Sequence, residues 1–156
     1  MKTKKNHSAI RIRRDSKSST TRRSSRPTIL CIDDDPEIVN AIELVMGGFQ
    51  VELICRFNGE QGIWSSICEK PDLIITDWLM PHGDGEELVS TLKRNQDTAN
   101  VPIIVLSCLG GEKLRHRLQS MGVSGFVQKP VRHDRLLSEI RQHITLAPRN
   151  RATDND

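Results

Sequence analysis

The stretch Leu73-Ile74-Ile75-Thr76-Asp77-Trp78-Leu79-Met80-Pro81-His82-Gly83-Asp84-Gly85 decides how the rest of the chain reads. An apolar run ends on a carboxylate, and a loop holding Met-Pro and Asp-Gly follows at once. An apolar run without polar alternation is expected of a strand covered on both faces, as in a parallel sheet between two layers of helices. A surface turn accounts for Pro81 and the glycines. It does not account for the recurrence of the same pattern elsewhere.

The pattern recurs along the chain. Thr28 to Ile32 is a first strand candidate and ends at Asp33-Asp34-Asp35. Gln50 to Cys55 reads as a second, followed by Arg56. Leu73 to Thr76 is the third, ending at Asp77. Pro102 to Leu106 is the fourth, followed by Ser107, and Gly125 to Gln128 is a short fifth before Lys129-Pro130.

Helical patterns lie between these runs. Pro36 suits the first turn of a helix with Ile38, Ile42, Val45 and Met46 on one face, stopped by Gly47-Gly48. Asn58 caps a helix carrying Ile63 and Ile67, with Trp64 beside them, and Pro71 breaks it. Gly85 to Arg94 carries Leu88, Val89 and Leu92. Glu112 to Met121 carries Leu114 and Leu118, and Gly122 stops it. Val131 to about Leu146 carries Leu136, Leu137, Ile140 and Ile144. Five strand-then-helix units predict an α/β fold with five helices. The expected architecture is a doubly wound, flavodoxin-like, five-stranded parallel sheet of order 2-1-3-4-5.

Charge divides the chain. Residues 1–27 hold ten Lys or Arg and one acid, Asp15, a formal +9. The whole chain is +3, so residues 28–156 carry −6. The first segment has too few apolar residues to offset the entropy of ordering and is expected to be a disordered basic tail. Residues 28–146 form the expected domain, and residues 147–156 a polar C-terminal tail. No apolar segment of adequate length follows the twin Arg22-Arg23, which argues against an export signal or membrane span and for a cytoplasmic protein. Cys31, Cys55, Cys68 and Cys108 show no metal-ligand spacing and read as reduced thiols.

In sheets of this order, function collects beyond the carboxyl ends of the strands, near the switch point between the first and third. The residues at those ends are Asp33, Asp34, Asp77, Ser107 and Lys129. Two like charges about 4 Å apart repel by roughly 1 kcal/mol in water and roughly 4 kcal/mol at an effective dielectric of 20. Clustered carboxylates therefore protonate or recruit a cation. Hard oxygen ligands with room for water suit Mg²⁺. Asp77 is then a candidate nucleophile toward a phosphoryl group, with Lys129 and Ser107 as partners for its oxygens.

These residues resemble the receiver domain of bacterial two-component response regulators, the CheY-like superfamily. The matching pieces are ILCIDDDPEI, LIITDWLMPHGDG, IIVLS and GFVQKP, spread over about Thr28 to Leu146. The resemblance implies that Asp77 is the phosphoacceptor and that Asp33, Asp34 and Asp77 hold Mg²⁺ with the backbone carbonyl of Leu79. It implies that Ser107 is the switch hydroxyl, Lys129 the lysine that pairs with the phosphoryl group, and Phe126 the aromatic that changes rotamer on activation. The Lys129-Pro130 bond is expected to be cis. Leu79 and Leu109 stand where the family tunes phosphoryl lifetime, and their apolar side chains are expected to restrict an attacking water. Two departures are Ser107 in place of the commoner threonine and Cys108 where Ala is usual.

The resemblance further implies a phosphorylation switch in phosphorelay signalling rather than a turnover enzyme. The donor is a histidine kinase or phosphotransfer protein. A downstream protein docks on the face formed by helix four, strand five and helix five, and homodimerisation is one mode open to such a domain. No output domain is read after the last helix, so the expectation is a single-domain regulator acting by docking, or a piece of a longer protein. One rival is an aspartyl-phosphate phosphohydrolase, for which Asp33-x-Asp35 has the spacing. Pro36 follows directly, no cap insertion is visible, and Asp77 is left without a role. A second rival is a binder of nucleic acid or acidic partners through the basic tail, against which a solvated tail is preferred. His82 reads as a solvated loop residue, since no second His stands at ligand spacing.

Overall fold

Strand β3 (Leu73–Asp77) lies at the centre of a five-stranded sheet in which every pairing is parallel. The computed structural model describes residues 26–81 and 83–150. On one side β3 pairs with β1 (Thr28–Ile32), which pairs in turn with β2 (Glu52–Arg56). On the other side it pairs with β6 (Ile103–Ser107), which pairs with β7 (Gly125–Gln128). Counting these five strands in chain order, the sheet runs 2-1-3-4-5, the order expected of a doubly wound fold with five units. A two-residue antiparallel hairpin, β4 (Leu79–Met80) with β5 (Gly83–Asp84), interrupts the loop after β3 and was not read from the sequence.

Alternate residues of each strand serve opposite cores. Ile29, Cys31, Ile75, Ile104 and Leu106 pack against α1 (Pro36–Met46) and α5 (His133–Arg141), through Val39, Ile42, Met46, Leu136 and Ile140. Leu30, Ile32, Ile74, Ile103 and Val105 face the other way. They meet Leu88, Val89 and Leu92 of α3 (Gly85–Arg94) and Leu118 of α4 (Glu112–Ser120). Every residue of β3 and β6 is buried, which explains their lack of polar alternation.

Three helices depart in detail from their sequence reading. On α1 the buried stripe is Val39, Ile42 and Met46, while Ile38 and Val45 are only half-buried. On α2 (Gly59–Glu69) the buried residues are Gly62, Ser65 and Ser66, not Ile63 and Ile67. Trp64 is 69% exposed. The reason is proximity: a Cβ on Gly62 would lie 2.5 Å from Cδ1 of Ile32. Helix α2 therefore approaches β1 through small residues, and its isoleucines fall to the flanks. Helix α5 ends at Arg141 rather than near Leu146. There the N–H of Gln142 donates to Glu139 and that of His143 to Ile140, tightening the last turn. Ile144 and Leu146 still pack against the core beyond the helix end.

The chain after α5 turns back along the opposite edge. Ala147 O accepts from the N–H of Gln50, and Arg149 N–H donates to Gly48 O. Among the described residues no helix is long and apolar enough to cross a membrane. The basic tail lies almost wholly outside the described residues, as do His82 and residues 151–156.

Candidate functional site

Strand β1 runs one residue past its last ladder partner: the Asp33 N–H donates to the Arg56 carbonyl at 3.1 Å. This fixes the Asp33 backbone, and its side chain has no solvent exposure. One carboxylate oxygen, Oδ1, accepts from the Asp35 N–H at 2.9 Å; the other, Oδ2, lies 3.1 Å from Lys129 Nζ. Asp35 itself caps α1, its side chain accepting from the Glu37 N–H at 2.9 Å. Asp33 and Asp35 thus hold the turn that leaves Asp34 exposed.

Asp77 is the last residue of β3, opposite Leu106 of β6, and is 4% exposed. The next residue, Trp78, donates its N–H to Leu106 O at 2.8 Å, so the backbone stays pinned on both sides of Asp77. Carboxylate oxygens of Asp33, Asp34 and Asp77 all lie within 4.8 Å of one another. Lys129 follows β7, and its N–H donates to Ser107 O at 2.9 Å. Its ammonium reaches back between two acids, 3.1 Å from Asp33 and 3.2 Å from Asp77 Oδ1. The Lys129-Pro130 bond is cis, as expected.

Ser107 ends β6 and is fully buried, its Oγ accepting from the Leu109 N–H at 3.0 Å. Leu79 and Leu109 are both about half exposed. Phe126 is half-buried on β7, with the Arg115 guanidinium 5.7 Å from its ring centre. The strand ends therefore bring Asp33, Asp34, Asp77 and Lys129 into one cluster, while Ser107 is tied to Lys129 through the backbone.

The electrostatics follow from burial and crowding. Burial pushes the Asp33 carboxyl above its ordinary range and the Asp77 charge adds to the push, opposed by the Asp35 N–H and Lys129. Burial also works against the Lys129 ammonium, but the two carboxylates outweigh it and hold its pKa above the ordinary value. Three carboxylates against one ammonium leave a formal −2 in this cluster. The donor set is hard oxygen throughout and one carboxylate opens to solvent, which suits a small divalent cation that keeps some of its water.

Two residues matter more than the sequence indicates. Arg56 closes β2 and donates from Nε to Ser65 Oγ at 2.6 Å and from Nη1 to Cys55 O at 2.7 Å. It ties β2 to α2, and a lone Arg nine residues before a Ser gives no sequence signal of this. Gly85, at the start of α3, supplies room. A Cβ there would sit 2.3 Å from the Trp78 carbonyl oxygen, and the Gly85 N–H donates to that same oxygen at 3.1 Å.

A match to the family described as the response regulator receiver domain spans residues 29–141. The chain belongs to that family. Receiver domains are generally switch domains that typically bind Mg²⁺ at an acidic site and work with histidine kinases or phosphotransfer proteins and downstream targets. Among curated relatives, hybrid signal transduction histidine kinase D of Dictyostelium discoideum is 31% identical over 122 residues, 78% of this chain and 8% of that protein. The phosphate regulon transcriptional regulatory protein PhoB of Pseudomonas aeruginosa is 33% identical over 116 residues, 73% of this chain and 50% of that protein. The chain thus spans half or less of the length of these two relatives. Among solved structures, the chemotaxis protein CheY4 of Vibrio cholerae superposes with a TM-score of 0.73 at 20% identity, covering 77% of this chain and all of that one. That likeness bears on the fold alone. A response regulator from Desulfuromonas acetoxidans gives a TM-score of 0.66 at 29% identity, covering 74% of this chain and 94% of that one.

Proposed function

We propose that this receiver domain is a phosphorylation switch that accepts a phosphoryl group on Asp77 from a histidine kinase or phosphotransfer protein. The observation that carries the reading is the Lys129 ammonium held between Asp33 and Asp77, with the Asp34 carboxylate close by. Asp33, Asp34, Asp77 and the Leu79 carbonyl are the residues that hold Mg²⁺ in this reading. When bound, the ion offsets the negative charge of the carboxylates and of an incoming phosphoryl group.

The chain's own residues do the rest. A carboxylate oxygen of Asp77 forms a P–O bond as the donor's P–N bond breaks, and the departing imidazole nitrogen takes up a proton from solvent. Asp77 needs no base, because a carboxylate is already a nucleophile. Lys129, already beside Asp77, pairs with a phosphoryl oxygen. Ser107 accepts a hydrogen bond from Leu109, and that bond leaves its own proton to donate to a second phosphoryl oxygen. Drawing Ser107 toward the site opens space behind it, and Phe126 turns inward. The contacts that differ between the two states shift their populations, and the face of α4, β7 and α5 changes with them. Leu79 and Leu109 flank the acyl phosphate and restrict water.

Intact-mass measurement of the chain after incubation with Mg²⁺ and acetyl phosphate tests this reading. One phosphoryl group per chain is expected, and none on Asp77→Asn. Sustained multiple turnover of p-nitrophenyl phosphate would instead favour the phosphohydrolase.

A further inference from the structure

Two thiols face each other across the first pair of strands. Cys31 of β1 and Cys55 of β2 are register partners in a parallel ladder. Side chains of such partners point to the same face of a sheet. Both pack into the core under α1 and α5. Neighbouring strands lie about 4.8 Å apart, and a disulfide spans Cα atoms roughly 4.4–6.8 Å apart. The strand spacing therefore admits a bond between these two. Cys68 and Cys108 are exposed and lie elsewhere in the fold.

The two sulfurs differ in access. Cys31 has no solvent exposure, whereas Cys55 is half-buried on the outermost strand of the sheet. The Cys55 Sγ donates to Glu43 Oε1 of α1 at 3.6 Å. Glu43 also lines a cavity of about 220 Å³ between α1 and β2, together with Leu53, two residues before Cys55 on the same face of the strand. A small oxidant thus approaches Cys55 from the sheet edge and does not reach Cys31. Within the sheet, β2 has a neighbour on one side only, so a small shift of that strand closes the remaining gap between the sulfurs.

We propose that Cys31 and Cys55 are a site of reversible disulfide formation, driven by hydrogen peroxide. The Cys55 sulfur attacks the peroxide. An S–O bond forms, the O–O bond breaks, and the thiol proton leaves with the departing oxygen as water. The Cys31 sulfur then attacks the sulfenic sulfur of Cys55. The S–S bond forms, the S–O bond breaks, and the second thiol proton leaves with the hydroxyl as water. Two electrons pass from the thiols to the peroxide, and no other reactant is needed. The bond is strained, because directly opposed residues on parallel strands sit farther apart than the Cβ separation of about 3.8 Å that a disulfide prefers. Strained disulfides are the readily reduced ones.

Oxidation reaches the acid cluster through one hydrogen bond. Arg56, next to Cys55, accepts at its carbonyl from the N–H of Asp33, two residues after Cys31. Drawing β2 toward β1 just before this bond displaces the Asp33 backbone. Its carboxylate, which shares the cluster with Asp34 and Asp77, moves with it. Oxidation therefore weakens Mg²⁺ binding. That consequence rests on the metal-dependent reading above, and the disulfide itself does not.

The test uses the full-length chain carrying Cys68→Ser and Cys108→Ser, with the parent chain mapped in parallel so that the result does not hang on those substitutions. After hydrogen peroxide, intact mass should show the loss of two hydrogen atoms. Non-reduced peptide mapping should join the Cys31 and Cys55 peptides, and glutathione should restore both thiols. The proposal is overturned if neither thiol reacts, if Cys55 gains oxygen while Cys31 stays free, if separate chains become linked instead, or if glutathione leaves the bond intact. Calorimetry should show Mg²⁺ affinity about tenfold weaker after oxidation, the scale expected when a residue supporting a metal ligand is disturbed. Cys55→Ser should bind Mg²⁺ equally before and after peroxide. Equal affinity of the oxidised and reduced chains refutes the coupling and leaves the disulfide standing. Failure of both forms to bind Mg²⁺ refutes the metal-dependent reading and again leaves the disulfide standing.

Discussion

Lys129 is the residue on which the site's balance turns. It neutralises part of the charge of Asp33 and Asp77, and it occupies space within the cluster of three carboxylates. Replacing it with Met removes a positive charge that opposes a divalent ion. Lys129→Met should therefore bind Mg²⁺ more tightly by calorimetry while losing phosphoryl acceptance. Without Mg²⁺ the variant should be less stable, since two buried carboxylates are left facing each other. The sign with pH is fixed by the raised lysine pKa. Stability from the pair is complete below the ordinary value of 10.5 and is lost as pH rises through the higher folded value. An alkaline denaturation series should show that loss in the parent chain and not in Lys129→Met.

At the scale of elements, close approach decides more than periodicity does. Gly85 starts α3 against the Trp78 carbonyl, with no space for a Cβ. Gly85→Ala should lower stability by about 3 kcal/mol, since backbone must move and not only a side chain. Urea denaturation measures it; an unchanged midpoint would contradict the packing described. The parallel sheet was legible because β1, β3 and β6 are apolar runs alternating with helical patterns; its strand order follows from the doubly wound arrangement such units commonly adopt, not from the runs themselves. The convergence of Asp33, Asp34, Asp77 and Lys129 was legible for the same reason: the strand ends share one edge. The buried face of α2 was not legible. It consists of Gly62, Ser65 and Ser66, and small polar residues give no hydrophobic period. The end of α5 is hidden in the sequence because Ile144 and Leu146 remain packed against the core after the helix has stopped, so burial outlasts helical geometry. The sequence does not separate Val39 from Ile38, because the two are adjacent on the helix, about 100° apart, and either could begin the stripe.

At the scale of the whole molecule, the sheet places the acid cluster at the carboxyl edge of β1 and β3, and Phe126 on the edge strand β7. Strand β6 lies between them, with Ser107 at its end and Phe126 paired beside it through Val105. A signal passing from Asp77 to Phe126 therefore crosses one strand. The account depends on Asp77 being the residue that becomes phosphorylated, with the help of a metal held by its neighbours. The most direct measurement is residue-level mass mapping of the chain after reaction with acetyl phosphate, with Mg²⁺ and with chelator. The account predicts a modification confined to Asp77 that disappears when the metal is removed. A modification on any other residue, or one on Asp77 that persists undiminished in chelator, would contradict it.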